Sequence, residues 1–400
     1  MGSAAAPVLT ERRQRAASLA QTLELPSFKG RPGWEFTDIS GLDLEAFEPA
    51  ADTPVASPAP RLFDLTPPDE LPDGVIVSTI DSAAETHPEL IERHLGAIVP
   101  AGDLFVARNS ARFQGGAFIY VPAGVTLQQP IVITATHTEP GTELDRRTLI
   151  VLEPGAEAEV WEQYLSASDD LEGVFNTVTE LSVGDNARLR YVCGQSLSER
   201  TWIFGAQRAE VGRDGYLDWV ALGFGSANGR VRMETRLSGE GAEARVTGAY
   251  ASHGRQHIDF DTTQEHAAPN TTSDLAFRGV LQGRSSAVWK GNIIVDPGAQ
   301  KTDAFQESRN LLLGKRAHAD AIPGLEIQAN DVRCTHAAAV AQVDPEQLFY
   351  LRYHGLGEDV AKRLVIEGFL AALVERFEPG PVREQLTAAL EQRLALILDE

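Results

Sequence analysis

The chain of 400 residues is 43% hydrophobic and 23% charged, which is typical of a soluble globular protein too long for one ordinary core. Its formal net charge of -22 disfavours nucleic acid and anionic membranes as partners, because both attract basic surfaces. Two cysteines form no disulfide framework, no apolar run reaches the roughly 18 residues of a membrane span, and no signal peptide is recognisable. We therefore expect a cytoplasmic protein that binds neither nucleic acid nor membrane.

Residues 1–98 predict an N-terminal helical region that contains a Pro-rich linker. Thr10 to Leu25 carries apolar residues at helical spacing, and Thr10 is the candidate N-cap. Ala50 to Pro72 is rich in Pro, Ala and Asp, a composition typical of linkers. Ser82 to Ala97 predicts one or two helical turns around Pro88.

Residues 99–343 alternate short β-branched and aromatic runs with Gly-containing turns, which predicts strands. A G-x-x-A/G turn followed by a strand recurs at steps of 29, 28 and 27 residues. These turns are Gly155–Ala158, Gly184–Ala187, Gly212–Gly215 and Gly239–Ala242, with Gly283–Ser286 as a further candidate after an insertion. A near-constant period favours a β-solenoid, in which each coil buries its inner face against its neighbours, over an antiparallel sandwich.

Residues 344–400 predict a C-terminal helical domain. Asp344 followed by Pro345 has the form of a helix start, Gly355 ends that helix, and Glu358 to Phe377 continues at helical periodicity. The last helix carries a narrow apolar seam formed by Val382, Leu386, Leu390, Leu394 and Ile397. This seam must bury against a neighbouring helix or against a partner protein.

Cys334 and His336 are the first candidates for chemistry. Residues two apart on a strand face the same side, so a thiol and an imidazole would project together as soft-metal ligands. Two ligands fall short of the four in a structural zinc site, and a Cys–His catalytic pair is less easily formed at this spacing. A buried structural cysteine beside a hydrogen-bonded histidine is the alternative.

Two further polar groups stand out, and common catalytic signatures are absent. One comprises His253, His257, Asp259, Asp261, Glu265 and His266, and is either a metal site or a solvated polar ladder. The other comprises Lys290, Lys301, Asp303 and Gln306, which are polar within an apolar context. The chain has no phosphate-binding loop, dinucleotide fingerprint, G-x-S-x-G or H-E-x-x-H motif, which weakens the hypothesis of an enzyme.

The segments Gln256–Leu281, Trp289–Gly314, Leu325–Leu356 and Ala361–Phe369 closely resemble the SufB/SufD family of the SUF iron–sulfur cluster assembly machinery, and GWEFTDIS at 33–40 does so more weakly. The resemblance implies a mainly β fold: a right-handed parallel β-helix core over 99–343, flanked by N-terminal and C-terminal α-helical regions. It also implies a heterodimer with a SufB-like paralogue through the end of the β-helix. A SufC-like ATPase would dock on the C-terminal helices.

Within that family the chain resembles the SufD type. Its Cys334-Thr335-His336-Ala337 is similar to the C-S-H-G of SufD chains, and Ser308 occupies the position of the persulfide-accepting cysteine of SufB chains. The resemblance implies a non-catalytic subunit of an ATP-dependent complex, with no stably bound cofactor. His336 and Cys334 would contact a transient iron–sulfur cluster shared with SufB. A SufB-like homodimeric scaffold is the alternative, a β-helix polysaccharide lyase is a remote one, and the chain could form a homodimer when alone.

Overall fold

A computed structural model gives the structure of residues 6–29, 33–50 and 61–398. In these ranges two sheets run side by side, a ten-stranded sheet A and an eight-stranded sheet B. From β3 onward the strands alternate between the sheets, and from β5 onward each lies parallel to the strand two places earlier. This is a parallel β-solenoid of eight two-stranded coils, as the repeat predicted.

The helices are α1 Pro7–Ala20, α2 Ile80–Thr86, α3 Pro88–His94, α4 Leu104–Arg112, α5 Pro345–Tyr353, α6 Glu358–Val374 and α7 Pro381–Leu398. The strands of sheet A are β1 Glu48–Ala50, β2 Ile76–Ser78, β3 Ala117–Val121, β5 Thr142–Leu152, β7 Gly173–Val183, β9 Thr201–Val211, β11 Asn228–Leu237, β13 His257–His266, β15 Ser286–Val295 and β17 His318–Ile327. The strands of sheet B are β4 Ile131–His137, β6 Glu157–Ser166, β8 Arg188–Ser196, β10 Tyr216–Gly223, β12 Glu243–Ser252, β14 Thr272–Leu281, β16 Asp303–Leu312 and β18 Arg333–Gln342.

Alternate residues of each strand fill the solenoid interior, because side chains on a strand point to opposite faces in turn. Strand β11 shows this period of two over its full length, with buried and partly exposed positions alternating. Successive coils place the inner residues in register, as where Tyr191 stacks on Trp219 and Trp219 on Val246. The interior is therefore one continuous apolar column, and its order fixes which residues meet at each end.

The four G-x-x-A/G turns lie where the chain passes from sheet A to sheet B, as the period required. The fifth candidate, Gly283–Ser286, was assigned wrongly. It lies at the opposite corner, between β14 and β15, where Gly283 approaches the backbone of Gly254. Gly155 at the first corner and Gly283 at the opposite corner both have positive φ, so glycine is favoured at both corners and does not distinguish them. The series continues at residues 267–271 and 296–302, which lack the motif.

The N-terminal region differs from the prediction in three places. Helix α1 begins at Pro7 and ends at Ala20, and Thr10 is not its cap, because its hydroxyl donates to the carbonyl of Ala6 at 3.3 Å. Part of the expected linker, 51–60, lies outside the described residues. Phe63 beyond it is buried and contacts Trp161 edge-on, with ring centroids 4.7 Å apart. Helices α2 and α3 meet at Pro88, as expected.

Helix α4 lies within the range 99–343 that was expected to be β-helix. Its Arg108 binds Glu143 of β5 in a buried ion pair, so the helix is fixed to the outer face of sheet A. The three domain bounds stay a prediction.

The C-terminal helices pack on the outer face of sheet B. Asp344 caps α5 by accepting a hydrogen bond from the Glu346 N–H at 2.9 Å, as predicted. The seam of α7 is buried within the chain itself, against α6 and sheet B. Arg393 strengthens this contact by donating to the Ala251 carbonyl at 3.0 Å. No helix of the described ranges is long and apolar enough to cross a membrane.

Candidate functional site at the open end of the solenoid

The last coil of the solenoid has no coil above it in the described structure. Strands β17 and β18 each pair with one neighbour only, β15 and β16, over ten residues each. Their outer edges therefore present rows of backbone N–H and C=O groups available for pairing. The inner positions of this coil include Ile327 and Val340, which are exposed.

The structure places Cys334 and His336 on the inner face of β18, as the spacing predicted. Cys334 lies in register with Ala304 of β16 and packs against the cluster that contains Ile293. Burial, and to a lesser extent Asp303, raises the pKa of the Cys334 thiol above its usual value. The thiol of the isolated chain is therefore predominantly protonated at neutral pH.

His336 is exposed at the mouth of the interior, in register with Gln306 of β16. Its side chain makes no hydrogen bond or ion pair with another residue of the described ranges. Ala337, where SufD chains commonly have glycine, lies in ordinary strand backbone without positive φ. The exchange of glycine for alanine therefore introduces no strain here.

Ser308 faces the interior two positions beyond Gln306 on β16 and is fully buried. Its hydroxyl accepts a hydrogen bond from the Asn310 side-chain amide at 3.4 Å. Ser308 lies in register with Ala338 of β18. Neither of these two paired positions therefore carries a thiol.

Five of the six residues of the second polar group are divided between the two faces of β13, and His253 lies in the connection that precedes this strand. His257, Asp259, Asp261 and Glu265 point outward, and the buried His266 points inward. The expected solvated ladder is wrong for Asp259, because Thr37 of the N-terminal segment covers it and donates a hydrogen bond to it.

Burial has opposite effects on the pKa of the two outward groups nearest Thr37. It raises the pKa of Asp259 to about 6 and lowers the pKa of His257 to about 4. Within the described ranges no three His, Cys, Asp or Glu side chains are arranged to hold a metal ion.

The third polar group is not a cluster either. Lys290 lies on the outer face of sheet A, in register with Asp261. Lys301 pairs with Asp331 at an exposed corner, and Asp303 is exposed at the start of β16. Of these four residues only Gln306 points into the interior, next to the open end. From the sequence it could be recognised only as a polar residue in an apolar context.

A second exposed surface lies close to the open end, and sequence reasoning missed it. Helix α5 begins three residues after β18 and buries none of its residues. Its Phe349, Tyr350 and Tyr353 are between 63 and 80% exposed. We call these three residues the α5 aromatic surface. Exposed aromatic groups of this size mark interaction sites in soluble proteins.

Together these features define a β-solenoid with a thiol and an imidazole at an end that has two unpaired strand edges. Residues 134–369 match the family described as SUF system FeS cluster assembly, SufBD core domain, and residues 62–133 match the SufBD protein N-terminal region. The chain therefore belongs to the SufB/SufD family of iron–sulfur cluster assembly proteins.

Individual relatives support this assignment. The iron–sulfur cluster assembly protein SufD of Bacillus subtilis is 34% identical over 81% of this chain and 75% of its own length. A SufBD family protein of Mycobacterium leprae is 29% identical over 90% of this chain and 94% of its own length. One from Mycobacterium tuberculosis is 31% identical over 74% of this chain and 75% of its own length.

Proposed function

We propose that the chain is the SufD-type scaffold subunit of a cytoplasmic, ATP-dependent complex that builds iron–sulfur clusters, and that it catalyses no step itself. The observation that carries this proposal is the open solenoid end, where Cys334 and His336 lie beside two unpaired strand edges. An incomplete ligand set at an unpaired edge is what a site shared between two subunits requires.

The open end would pair with a SufB-like paralogue. The two edge strands offer twenty residues of backbone, and a second solenoid end would satisfy their hydrogen bonds while covering exposed inner residues. The same surface would allow a homodimer when the paralogue is absent.

At this interface the cluster is the cargo that the complex assembles, and the chain holds no resident cofactor. A neutral imidazole ligates iron, and a thiolate is soft enough for both iron and sulfur. Cys334 would lose its proton on binding, because a metal competes with the proton for the sulfur. The partner would supply the remaining ligands.

The α5 aromatic surface would dock the SufC-like ATPase. The chain has no phosphate-binding loop of its own, so the ATPase would supply hydrolysis. The apolar seam of α7 is not proposed for this contact, because it is buried against α6 and sheet B in the folded chain.

The shared site is tested by His336→Ala, with His318→Ala as the matched control. His318 is an exposed histidine of β17 that points outward and contacts Asp320 at 3.2 Å. The chain is co-purified anaerobically with the SufB-like and SufC-like proteins of its own source. We expect all three complexes to have the same mass, and only His336→Ala to have lost bound iron and sulfide. Equal cluster content in all three would reject the site.

The docking surface is tested separately by Tyr353→Asp, with Leu396→Asp as its control. Leu396 is an apolar residue of α7 that is 58% exposed and lies outside the α5 aromatic surface. Tyr353→Asp is expected to abolish co-purification of the ATPase while the SufB-like partner stays bound. Retention of the ATPase by Tyr353→Asp, or its loss in both variants, would contradict this placement.

A further inference from the structure

Gln306 is a fully buried polar residue one coil below His336. Its side-chain N–H₂ group donates to the carbonyls of Gly291 at 3.3 Å and Gly324 at 3.1 Å. These two bonds fix the orientation of the amide, since the flipped amide would place oxygen against two carbonyl oxygens. The amide oxygen Oε1 is left without a hydrogen-bond partner in the described structure.

An unpaired buried acceptor has lost its hydrogen bonds to water without replacement, and so calls for an explanation. The side chain directly above Gln306 is that of His336, because residues in register on parallel strands lie about 4.8 Å apart. Within residues 61–398 no further strand follows β18, so the side chains of its coil, including His336, form the one layer between Gln306 and the open end. His336 is therefore the register neighbour, toward the open end, of a buried residue whose acceptor Oε1 has no donor.

We propose that Gln306 is a positioning residue for His336. When the shared site assembles, Gln306 Oε1 accepts a hydrogen bond from one ring N–H of His336. The other ring nitrogen then keeps its lone pair and faces the open end, where it ligates iron. Metal-binding histidines generally donate their second ring N–H to a fixed acceptor, which sets the tautomer and the orientation of the ring. This inference rests on the proposed role of His336.

Gln264 provides a matched control inside the same interior. It is also buried, and its Oε1 also lacks a partner in the described structure. It lies on β13, two coils below the open end within sheet A, and its register neighbour toward that end is Ile293. Replacement of Gln264 therefore disturbs the interior similarly without removing an acceptor next to His336.

The experiment compares Gln306→Met, Gln306→Glu and Gln264→Met in the complex with the SufB-like and SufC-like proteins. Iron and sulfide content are measured, together with the rate at which an iron chelator removes the cluster. Methionine keeps the size of the side chain and lacks the acceptor. Glutamate, which burial keeps protonated, retains the acceptor and one O–H donor in place of the two anchoring N–H bonds. We expect about 10-fold faster cluster loss in Gln306→Met. Gln306→Glu should lie closer to native, and Gln264→Met should equal native.

Three outcomes would overturn the inference: cluster loss in Gln306→Met at the native rate, equally fast loss in Gln264→Met, or faster loss in Gln306→Glu than in Gln306→Met. If Gln306→Met does not assemble, Gln306→Glu decides alone, since near-native retention supports the role and loss equal to that of His336→Ala rejects it. A cluster retained in His336→Ala would instead reject the proposed function, so the two failures are distinguishable.

Discussion

The two ends of the solenoid follow one sequence pattern and have opposite exposure. At the first coil the inner residues Ile119 and Ile131 are 0% and 3% exposed, whereas Ile327 and Val340 of the last coil are 42% and 44% exposed. An apolar inner row therefore does not itself determine whether an end is closed. The additional elements at that end determine it, and an end without them is available as an interface.

The closed end is covered by elements from the N-terminal region. Strand β2 runs antiparallel to β3 at the end of sheet A, so the parallel order stops there. The edge strand of sheet B, β4, has seven residues, fewer than the ten of β17 and β18. Short edge strands resist unwanted pairing better than long ones.

The sharpest test of this difference is the same acidic substitution at each end. Ile119→Asp is expected to lower the free energy of unfolding by roughly 4 kcal/mol or more, because it buries an unpaired charge. Val340→Asp should change it by less than about 1 kcal/mol, since the site is exposed, and should still abolish pairing with the SufB-like partner. Urea denaturation and co-purification measure the two effects. Equal destabilisation by both variants would show that the ends do not differ in this way.

A buried ion pair near the closed end is expected to have the next largest effect. Arg147 of β5 donates to Glu180 of β7 at 2.6 Å, and both side chains are buried. Arg147→Ala should lower the free energy of unfolding by about 3–5 kcal/mol, because it leaves the Glu180 carboxylate without its countercharge. Arg147→Met retains the apolar part of the side chain and should be as harmful, which separates lost charge from lost packing. A loss of less than about 1 kcal/mol in both variants would contradict this account.

Acid should weaken the closed end through His137 of β4. Burial lowers the pKa of this imidazole to about 4, against about 6.5 in the unfolded chain, so the folded state favours the neutral form. The contribution of the neutral His137 to the free energy of unfolding is complete above pH 6.5. It decreases as the pH falls from 6.5 and is lost once the pH has passed through 4. This loss reaches about 3 kcal/mol, and His137→Gln should flatten the stability profile between these values. Urea unfolding at pH 7, 5.5 and 4 measures both proteins. If the native chain and His137→Gln lose the same stability over this range, His137 is not the cause.

The smallest effect is expected at an exposed corner of the open end. Lys301 and Asp331 form an ion pair in which both side chains are more than 60% exposed. Lys301→Ala should change the free energy of unfolding by less than about 0.5 kcal/mol, because water and salt screen such pairs. A loss above about 1 kcal/mol in thermal melts of the isolated chain would show that this corner already contributes to stability without a partner.

The sequence was informative where a local rule decides the structure. The period of the turns predicted the solenoid, and the Asp344–Pro345 start of α5 is a local cap that needs no tertiary contact. The spacing of Cys334 and His336 predicted that they share a face for the same reason.

Contacts between distant segments escaped prediction. The burial of Asp259 depends on Thr37, which is 222 residues away, and Phe63 is buried although its neighbours in sequence have the composition of a linker. The seam of α7 predicted burial without saying against what. The open acceptor of Gln306 became visible only once the register of β16 and β18 was known.

The stacked coils also fix distances along the solenoid axis in equal steps. Each coil adds about 4.8 Å, so the eight strands of sheet B span roughly 34 Å along the solenoid axis. Helices α6 and α7 rest on β12 and β14, while Cys334 and His336 lie on β18. The distance between a surface on α6 or α7 and the side chains at the open end is therefore set in whole coils. Gain or loss of one coil between them during evolution would change this distance by one step, and would not alter either surface.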